Sequence, residues 1–184
     1  IKSSELAPAT MFEFAKLIEK TGIPKGVVNV ITGFGDPCGK ALTTHKDVER
    51  IAFTGGPETA RHIIKNSAEN LSQVSLELGG KSPLVILPDA EIERAVLWGM
   101  DSCFRNNGQT CTSLTRFLVP RKLVQQVTEI AKTCAEEYVL GDSLDPLTTL
   151  GPLVSAKQQK RVWKYIQSGI DNGGELVTGG LGAP

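Results

Sequence analysis

Residues 50–57 read RIAFTGGP and pass from a predicted strand, Arg50–Phe53, through two glycines into a helix that begins at Pro57. Proline suits the first turn of a helix because its missing N–H group would have no intrahelical partner there. A second strand is predicted after that helix, at Gln73–Leu78. Strands and helices that alternate over short connections are typical of a parallel sheet covered by helices. The sequence therefore predicts an α/β fold.

The same alternation continues on both sides of this stretch. Upstream, apolar residues with the spacing of one helix face predict a helix over Pro8–Lys20. The other predicted elements before residue 79 are a strand at Val27–Ile31 and a short helix near Cys38–Thr44. After residue 79 we predict strands at Ser82–Leu87 and Arg116–Val119, and helices at Ile92–Cys103, around 123–134 and at Ser155–Asn172. In the 123–134 helix one apolar stripe is formed by Leu123, Val127, Ile130 and Cys134.

The Gly79-Gly80 pair separates two α/β patterns. Consecutive glycines loosen the chain, so we expect two lobes, residues 1–79 and residues 80–184. The sequence starts at Ile1 rather than Met, and its last residues, 179–184, are loop-forming. We therefore expect it to be a portion of a longer chain.

The composition excludes several classes of protein. With 184 residues and 40% hydrophobic residues the chain can fill a core, so disorder is not expected. Lys plus Arg equals 20 and Asp plus Glu equals 20, which leaves no basic surplus to bind nucleic acid. No apolar run approaches the roughly 20 residues that span a bilayer, so we predict no membrane partner.

The four cysteines do not form a recognisable metal or disulfide pattern. They contain no CxxC pair and are accompanied by only two histidines, so a bound metal is not expected. So few cysteines in a chain of this length are not typical of a secreted disulfide framework. We therefore expect a reducing, cytoplasmic location.

Two glycine-rich turns are candidates for binding a dinucleotide. The first, residues 33–39, has the spacing GxGxxxG, one residue longer than the usual fingerprint. The second, residues 53–57, places glycines before a helix whose free amides and dipole suit a phosphate. For each turn the alternative is a flexible connection between a strand and a helix, and the residues alone leave both interpretations open.

Cys111 and Glu77 are candidates for catalysis. Cys111 lies in a polar stretch, residues 106–112, where backbone amides and a helix dipole can stabilise a thiolate and a neighbouring oxyanion. Glu77 ends an otherwise apolar strand just before the glycine pair, and a carboxylate there can serve as a general base. The alternatives are a bystander cysteine and a charged residue at a strand end.

The run ELGGKSP at residues 77–83, followed by GQTC at residues 108–111, resembles two signatures of the aldehyde dehydrogenase superfamily in their order and separation. Residues 2–5, KSSE, are similar to the KPSE segment of that family, and residues 53–56, FTGG, to its FTGS segment. Weaker similarity continues through 138–142, 151–153 and 179–180. The resemblance covers nearly the whole sequence.

The resemblance implies a Rossmann-like open parallel sheet, as the second half of an NAD-binding domain, in residues 1–79. It implies the start of the catalytic α/β domain in residues 80–184. Cys111 would be the nucleophile that attacks an aldehyde carbonyl, with its own backbone amide holding part of the oxyanion. After hydride loss, Glu77 would activate the water that hydrolyses the thioester.

The family pattern also implies a cofactor site and an oligomeric parent enzyme. Thr54, Gly55 and Gly56 match positions near the pyrophosphate and nicotinamide, and Leu78 is a further expected contact. Gly35 matches the adenine-side turn, and Lys2 and Glu5 match the ribose contacts. A carboxylate at Glu5 accepts hydrogen bonds from ribose hydroxyls and repels a 2′-phosphate, so we expect NAD rather than NADP. The expected parent is a homodimer or homotetramer acting on a small-molecule aldehyde.

Some family features differ or lie outside this sequence. Ser3 stands where the family usually has proline, and Gly56 where serine is common, which removes one hydrogen bond to the pyrophosphate. The oxyanion-hole asparagine and a second ribose glutamate are not among the 184 residues. We therefore expect these residues by themselves to be inactive.

Arg105 is the candidate substrate contact. Family members that act on succinate semialdehyde carry an arginine near this position that binds the distal carboxylate. The resulting hypothesis is a substrate aldehyde with a remote carboxylate. The alternative is a surface arginine at a helix end.

Three other classes of function compete with this interpretation. A non-catalytic relative is disfavoured because both Glu77 and Cys111 are present. A protease or acyl-transfer enzyme would need a histidine partner, and neither His45 nor His62 lies near the Cys111 segment in sequence. A plain dinucleotide-binding module would leave Cys111 without a role.

Overall fold

The computed structural model describes residues 1–182, so Ala183 and Pro184, at the end of the predicted second lobe, lie outside the described residues. The backbone divides into two units, the first comprising Ile1–Leu78 and the second beginning at Gly79. Each unit has its own parallel strand pair and helices. The fold is α/β, as the sequence predicts. The binding and catalytic roles expected for the two lobes stay predictions.

The first unit is built around a strand–helix–strand crossover. Strand β1 (Arg50–Gly55) continues through α3 (Pro57–Asn70) into β2 (Gln73–Leu78), and the two strands pair in parallel. The predictions of a helix beginning at Pro57 and of a strand at Gln73–Leu78 are confirmed. Before this crossover lie α1 (Ala9–Glu19), a helical turn at Gly35–Gly39 and α2 (Lys40–Thr43). Helix α3 packs against both strands, and Ala60 and Ile63 are buried.

The predicted strand at Val27–Ile31 is wrong. In this segment only Ile31 pairs with another strand-like residue, forming a single parallel bridge with Lys2. The Ile31 N–H donates to Ile1 O at 2.9 Å, and the Ser3 N–H donates to Ile31 O at 3.2 Å. A strand requires a ladder of such bonds, and earlier in the segment the Val27 N–H instead closes a turn on Pro24 O at 3.3 Å.

The second unit repeats the crossover. Strand β3 (Pro83–Val85) is followed by α4 (Ile92–Gly108) and by β4 (Arg116–Leu118), which pairs with β3 in parallel. A short 3-10 turn at Arg121–Leu123 leads into α5 (Val124–Glu136), and α6 (Ala156–Asp171) follows later. Both strands are shorter than predicted. Ser155 caps α6, as its Oγ accepts from the Gln158 N–H at 3.2 Å.

The core of the second unit lies between its strands, α4 and α5. Ile86, Val96, Met100 and Val127 are buried together. The predicted apolar stripe is confirmed, since Ile130 and Cys134 of α5 pack against this cluster, and so does Leu123 at the end of the preceding 3-10 turn. Helix α4 packs onto the strand pair through this cluster.

We expect the Gly99→Ala substitution to lower the free energy of unfolding by about 1–3 kcal/mol, because the core has no room for a methyl group there. A Cβ at Gly99 would lie 2.5 Å from both Leu84 Cδ2 and Phe117 Cζ. Urea denaturation of the full-length protein measures the change. The control is Gly169→Ala in α6, where the added Cβ would meet nothing within 4 Å. This substitution should raise the free energy of unfolding by up to about 1 kcal/mol. Equal effects of the two substitutions would contradict this account of the packing.

Candidate active site

Four predicted site residues meet at the carboxyl end of the β1–β2 strand pair. The register places Thr54 opposite Glu77 and Gly55 opposite Leu78. Thr54 and Glu77 are exposed, whereas Gly55 and Leu78 are half-buried. In parallel α/β sheets, ligands bind at the carboxyl ends of the strands. The first unit thus gathers a hydroxyl and a carboxylate at the edge where a ligand is expected.

Gly55, the last residue of β1, and Gly56, which follows it, are glycines for different physical reasons. A Cβ at Gly55 would lie 2.5 Å from Phe53 Cζ, so packing within the strand explains this glycine. A Cβ at Gly56 would meet no atom within 4 Å, and Gly56 precedes α3 with an extended backbone and no side-chain cap. Pro57 has no N–H, but the amides that follow it in the first turn of α3 receive no cap from Gly56 and suit an anion, which the helix dipole also favours.

The turn at residues 33–39 shows the same contrast. A Cβ at Gly33 would lie 2.6 Å from Cys38 Cβ, so the turn itself requires this glycine. A Cβ at Gly35 would meet nothing within 4 Å. Gly35 therefore leaves open space above the backbone, which suits the close approach of a flat ligand.

Lys2 and Glu5 lie beside this turn. Lys2 bridges to Ile31, two residues before Gly33, and its Nζ lies 3.5 Å from Glu5 Oε2. The first unit thus brings Lys2, Glu5 and the glycine turn together. The neighbouring Ser3 donates its N–H to Ile31 O, a bond that a proline at this position could not make. The departure from the family pattern at Ser3 therefore adds a backbone hydrogen bond.

Cys111 lies in a turn between α4 and β4, where its side chain is exposed. The other three cysteines are half-buried. Burial raises the pKa of the Cys103 thiol, with the Lys81 ammonium acting in the opposite direction. Burial also raises the pKa of the Cys134 thiol, and the carboxylates of Glu137 and Asp101 add to the rise. Among the four cysteines, Cys111 therefore has the thiol that is most accessible to a reagent.

The Cys111 loop packs against the segment that follows β2. A Cβ at Gly80 would lie 3.4 Å from the carbonyl oxygen of Cys111. Lys81 Nζ donates to Thr115 O at 3.5 Å. The second unit therefore brings residues 79–83, the later part of the 77–83 run, against the loop that contains residues 108–111.

Helix α4 ends in an unusual left-handed turn just before Cys111. Arg105 leaves the helical conformation, and Asn106, Asn107 and Gly108 then have positive φ values of 52°, 56° and 69°. Left-handed backbone costs roughly 1–2 kcal/mol for a residue with a side chain, and asparagine tolerates it better than most. Asn107 is not among the residues that the sequence predicts for the site. The available signal was the Asn-Asn-Gly run itself, whose residue types favour this conformation.

Arg105 is held by an acid one turn earlier. Its Nη2 lies 2.6 Å from Asp101 Oδ2, and both side chains are largely exposed. An exposed ion pair of this kind contributes little to stability. A substrate carboxylate would have to compete with Asp101 for the guanidinium, so a role for Arg105 in substrate binding stays a prediction.

Over residues 1–182 no helix has both the length and the apolar character needed to cross a bilayer. In the same residues no group of three or more His, Cys, Asp or Glu side chains could hold a metal ion.

Comparisons with known proteins agree on one family. The model of the aldehyde dehydrogenase family matches residues 1–184. The (Z)-2-((N-methylformamido)methylene)-5-hydroxybutyrolactone dehydrogenase of Acinetobacter baylyi is 44% identical over 180 residues, which cover 98% of this chain and 37% of that protein.

Solved structures give the same result. A mutant of aldehyde dehydrogenase C from Pseudomonas syringae, solved with NAD+ and octanal, matches 98% of this chain with a TM-score of 0.95 and 39% identity. An NAD+ complex of aldehyde dehydrogenase from Bacillus cereus matches 100% of this chain with a TM-score of 0.95 and 40% identity. The matched part is 37% of each of those two chains, so the sequence spans little more than a third of their length.

Proposed function

The chain belongs to the aldehyde dehydrogenase family, and from this membership we propose that it carries the nucleophile and the general base of an NAD-dependent aldehyde dehydrogenase. The nucleophile is Cys111 and the general base is Glu77. The observation that carries the proposal is the exposed Cys111 thiol, in a loop whose backbone lies against Gly80. Glu77 stands three residues before Gly80 in the sequence.

Cys111 forms the covalent bond to the substrate. Its thiolate attacks the aldehyde carbon, a C–S bond forms, and the carbonyl oxygen becomes the oxyanion of a hemithioacetal. The backbone N–H of Cys111 contributes one hydrogen bond to this oxyanion. Loss of the aldehydic hydrogen as hydride, with collapse of the oxyanion to a carbonyl, leaves a thioester on Cys111. Covalent attachment separates oxidation from hydrolysis.

Glu77 completes the reaction. As a carboxylate it takes a proton from water while the water oxygen attacks the thioester carbon. The C–S bond then breaks, the carboxylic acid leaves, and Cys111 regains its thiolate. An exposed position at the end of β2, with Thr54 beside it, leaves this carboxylate accessible to water.

The residues present fit a dinucleotide. Gly35 and Gly56 each leave open space where a side chain would stand, and the first amides of α3 can bind a pyrophosphate. We propose Lys2 and Glu5 for the adenosine ribose, and Thr54, Gly55, Gly56 and Leu78 for the remaining contacts. When bound, NAD supplies the hydride acceptor. Two structurally similar aldehyde dehydrogenases were solved with NAD+, which supports the same cofactor for this chain.

The Glu5→Gln substitution should raise the preference for NADP relative to NAD by about tenfold, since it removes a carboxylate that would repel a 2′-phosphate. Lys2, which lies 3.5 Å from the Glu5 carboxylate, would then attract that phosphate. The measurement is the ratio of kcat/KM values for the two cofactors at one aldehyde concentration. The control is Glu13→Gln on α1, where Glu13 pairs locally with Lys16 and the ratio should not move. An unchanged ratio in Glu5→Gln would remove Glu5 from cofactor selection.

For the substrate we propose a small-molecule aldehyde. Its specific form would carry a remote carboxylate, which Arg105 would bind. We also propose a homodimer or homotetramer in the cytoplasm. The second candidate function is a non-catalytic dinucleotide-binding relative, and it rests on the open glycine turns alone.

Two measurements on the full-length protein test the proposal. NADH formation is followed by absorbance with a panel of neutral and acidic aldehydes, and alkylation of Cys111 by iodoacetamide is followed by peptide mass. We expect turnover with at least one aldehyde and alkylation that NAD slows. Folded protein that binds NAD but neither turns over nor alkylates at Cys111 would favour the non-catalytic alternative.

A further inference from the structure

Asn107 ties the Cys111 loop to a distant part of the second unit. Its side-chain nitrogen, Nδ2, donates to Gly151 O at 2.9 Å and lies 3.5 Å from Pro152 O. Gly151 is 44 residues further along the chain. The neighbouring Asn106 bonds locally instead, from Nδ2 to Gln109 O at 3.3 Å. Asn107 is therefore the member of this pair that anchors the loop.

The backbone of Asn107 indicates the same role. Asn106, Asn107 and Gly108 are three consecutive left-handed residues, an arrangement that persists only where the surroundings hold it. The bond from Asn107 to Gly151 is a contact that can hold it. Four residues later the chain reaches Cys111, whose carbonyl oxygen lies against Gly80. The loop is thus hydrogen-bonded to Gly151 and lies close to Gly80.

We propose that Asn107 is a positioning residue for the Cys111 thiol. By bonding Gly151 O it fixes the left-handed turn, and the turn sets the direction in which the backbone enters the Cys111 loop. A displacement of about 1 Å in a reacting group can cost about 10²-fold in rate. This inference rests on the proposed function, because positioning matters only if Cys111 reacts.

Two substitutions separate the anchor from the backbone strain. Asn107→Asp keeps a residue that tolerates left-handed backbone but places an acceptor against the Gly151 carbonyl, so the bond is lost. Asn107→Gly relieves the backbone strain and also removes the bond. The matched control is Asn172→Asp, since Asn172 Nδ2 also donates to a carbonyl oxygen, that of Ser168 at 2.7 Å, at the end of α6.

The readouts on the full-length protein are the second-order rate of Cys111 alkylation by iodoacetamide, together with kcat and the KM for NAD. In both Asn107 variants we expect the alkylation rate to change and kcat to fall by about tenfold or more, with the KM for NAD nearly unchanged. Asn172→Asp should behave as the parent. A purely structural role would lower the urea midpoint without changing alkylation of the folded protein.

The proposal would be overturned if folded Asn107 variants kept the alkylation rate and kcat of the parent protein. It would also be overturned if Asn172→Asp changed these two quantities as much as the Asn107 variants do. If Asn107→Asp does not fold, Asn107→Gly decides. A parent protein that oxidises no aldehyde would refute the proposed function. Alkylation would still decide whether Asn107 positions the thiol, since iodoacetamide reports on Cys111 without a substrate.

Discussion

The Cys111→Ser variant of the full-length protein should lose aldehyde-dependent NADH formation by at least about 10³-fold while still binding NAD. A serine hydroxyl is a far weaker nucleophile than a thiolate, and the other three cysteines are half-buried. The residues proposed to bind NAD would be untouched by the substitution. Steady-state absorbance measures turnover, and quenching of protein fluorescence measures NAD binding.

The control for this variant is Cys134→Ser. Cys134 packs against the buried cluster of the second unit, so its substitution should reduce stability and leave turnover per folded molecule unchanged. Retained activity in Cys111→Ser would show that another group is the nucleophile. Activity lost equally in both variants would show that the assay reports folding rather than chemistry.

The Glu77→Gln variant should show a different defect. We expect one rapid equivalent of NADH per protein chain, followed by a steady state about 10²–10⁴-fold slower than that of the parent. The reason is that an amide cannot take the proton from water, whereas attack by Cys111 and oxidation do not require Glu77. Stopped-flow absorbance resolves the burst, and intact mass detects the acyl group left on the protein.

Glu69→Gln is the matched control, because Glu69 is an exposed carboxylate on α3 in the same unit. It should behave as the parent in both phases. Loss of the burst in Glu77→Gln would mean that Glu77 acts before oxidation. An unchanged steady state would assign the general base to another residue.

Much of the fold could be predicted because local patterns determine it. Proline at position 57 predicted the start of α3, and the alternation of polar and apolar residues over 73–78 predicted β2. The strand expected at Val27–Ile31 failed for the opposite reason. Its apolar residues fit a strand, but pairing depends on a neighbour, and only Ile31 finds one in Lys2.

The candidate site, like the fold, could be predicted only in part from the sequence. Motif resemblance singled out Cys111 and Glu77, but which neighbours support them depends on three-dimensional packing. Nothing in the sequence relates Asn107 to Gly151, because the bond between them joins residues 44 apart. The separate reasons for Gly33 and Gly35 could not be predicted either, since they depend on the positive φ of Gly33 and on Cys38 occupying the space of a side chain there.

The pairing of Thr54 with Glu77 has a consequence for building chimeras from related enzymes. Side chains alternate between the two faces of a strand, so deleting one residue between Gln73 and Glu77 would turn the carboxylate to the opposite face. Changes of length in the surface loops would leave the alignment of the two strands intact. Recombination junctions are therefore best placed in loops, with β1 and β2 inherited together from one parent.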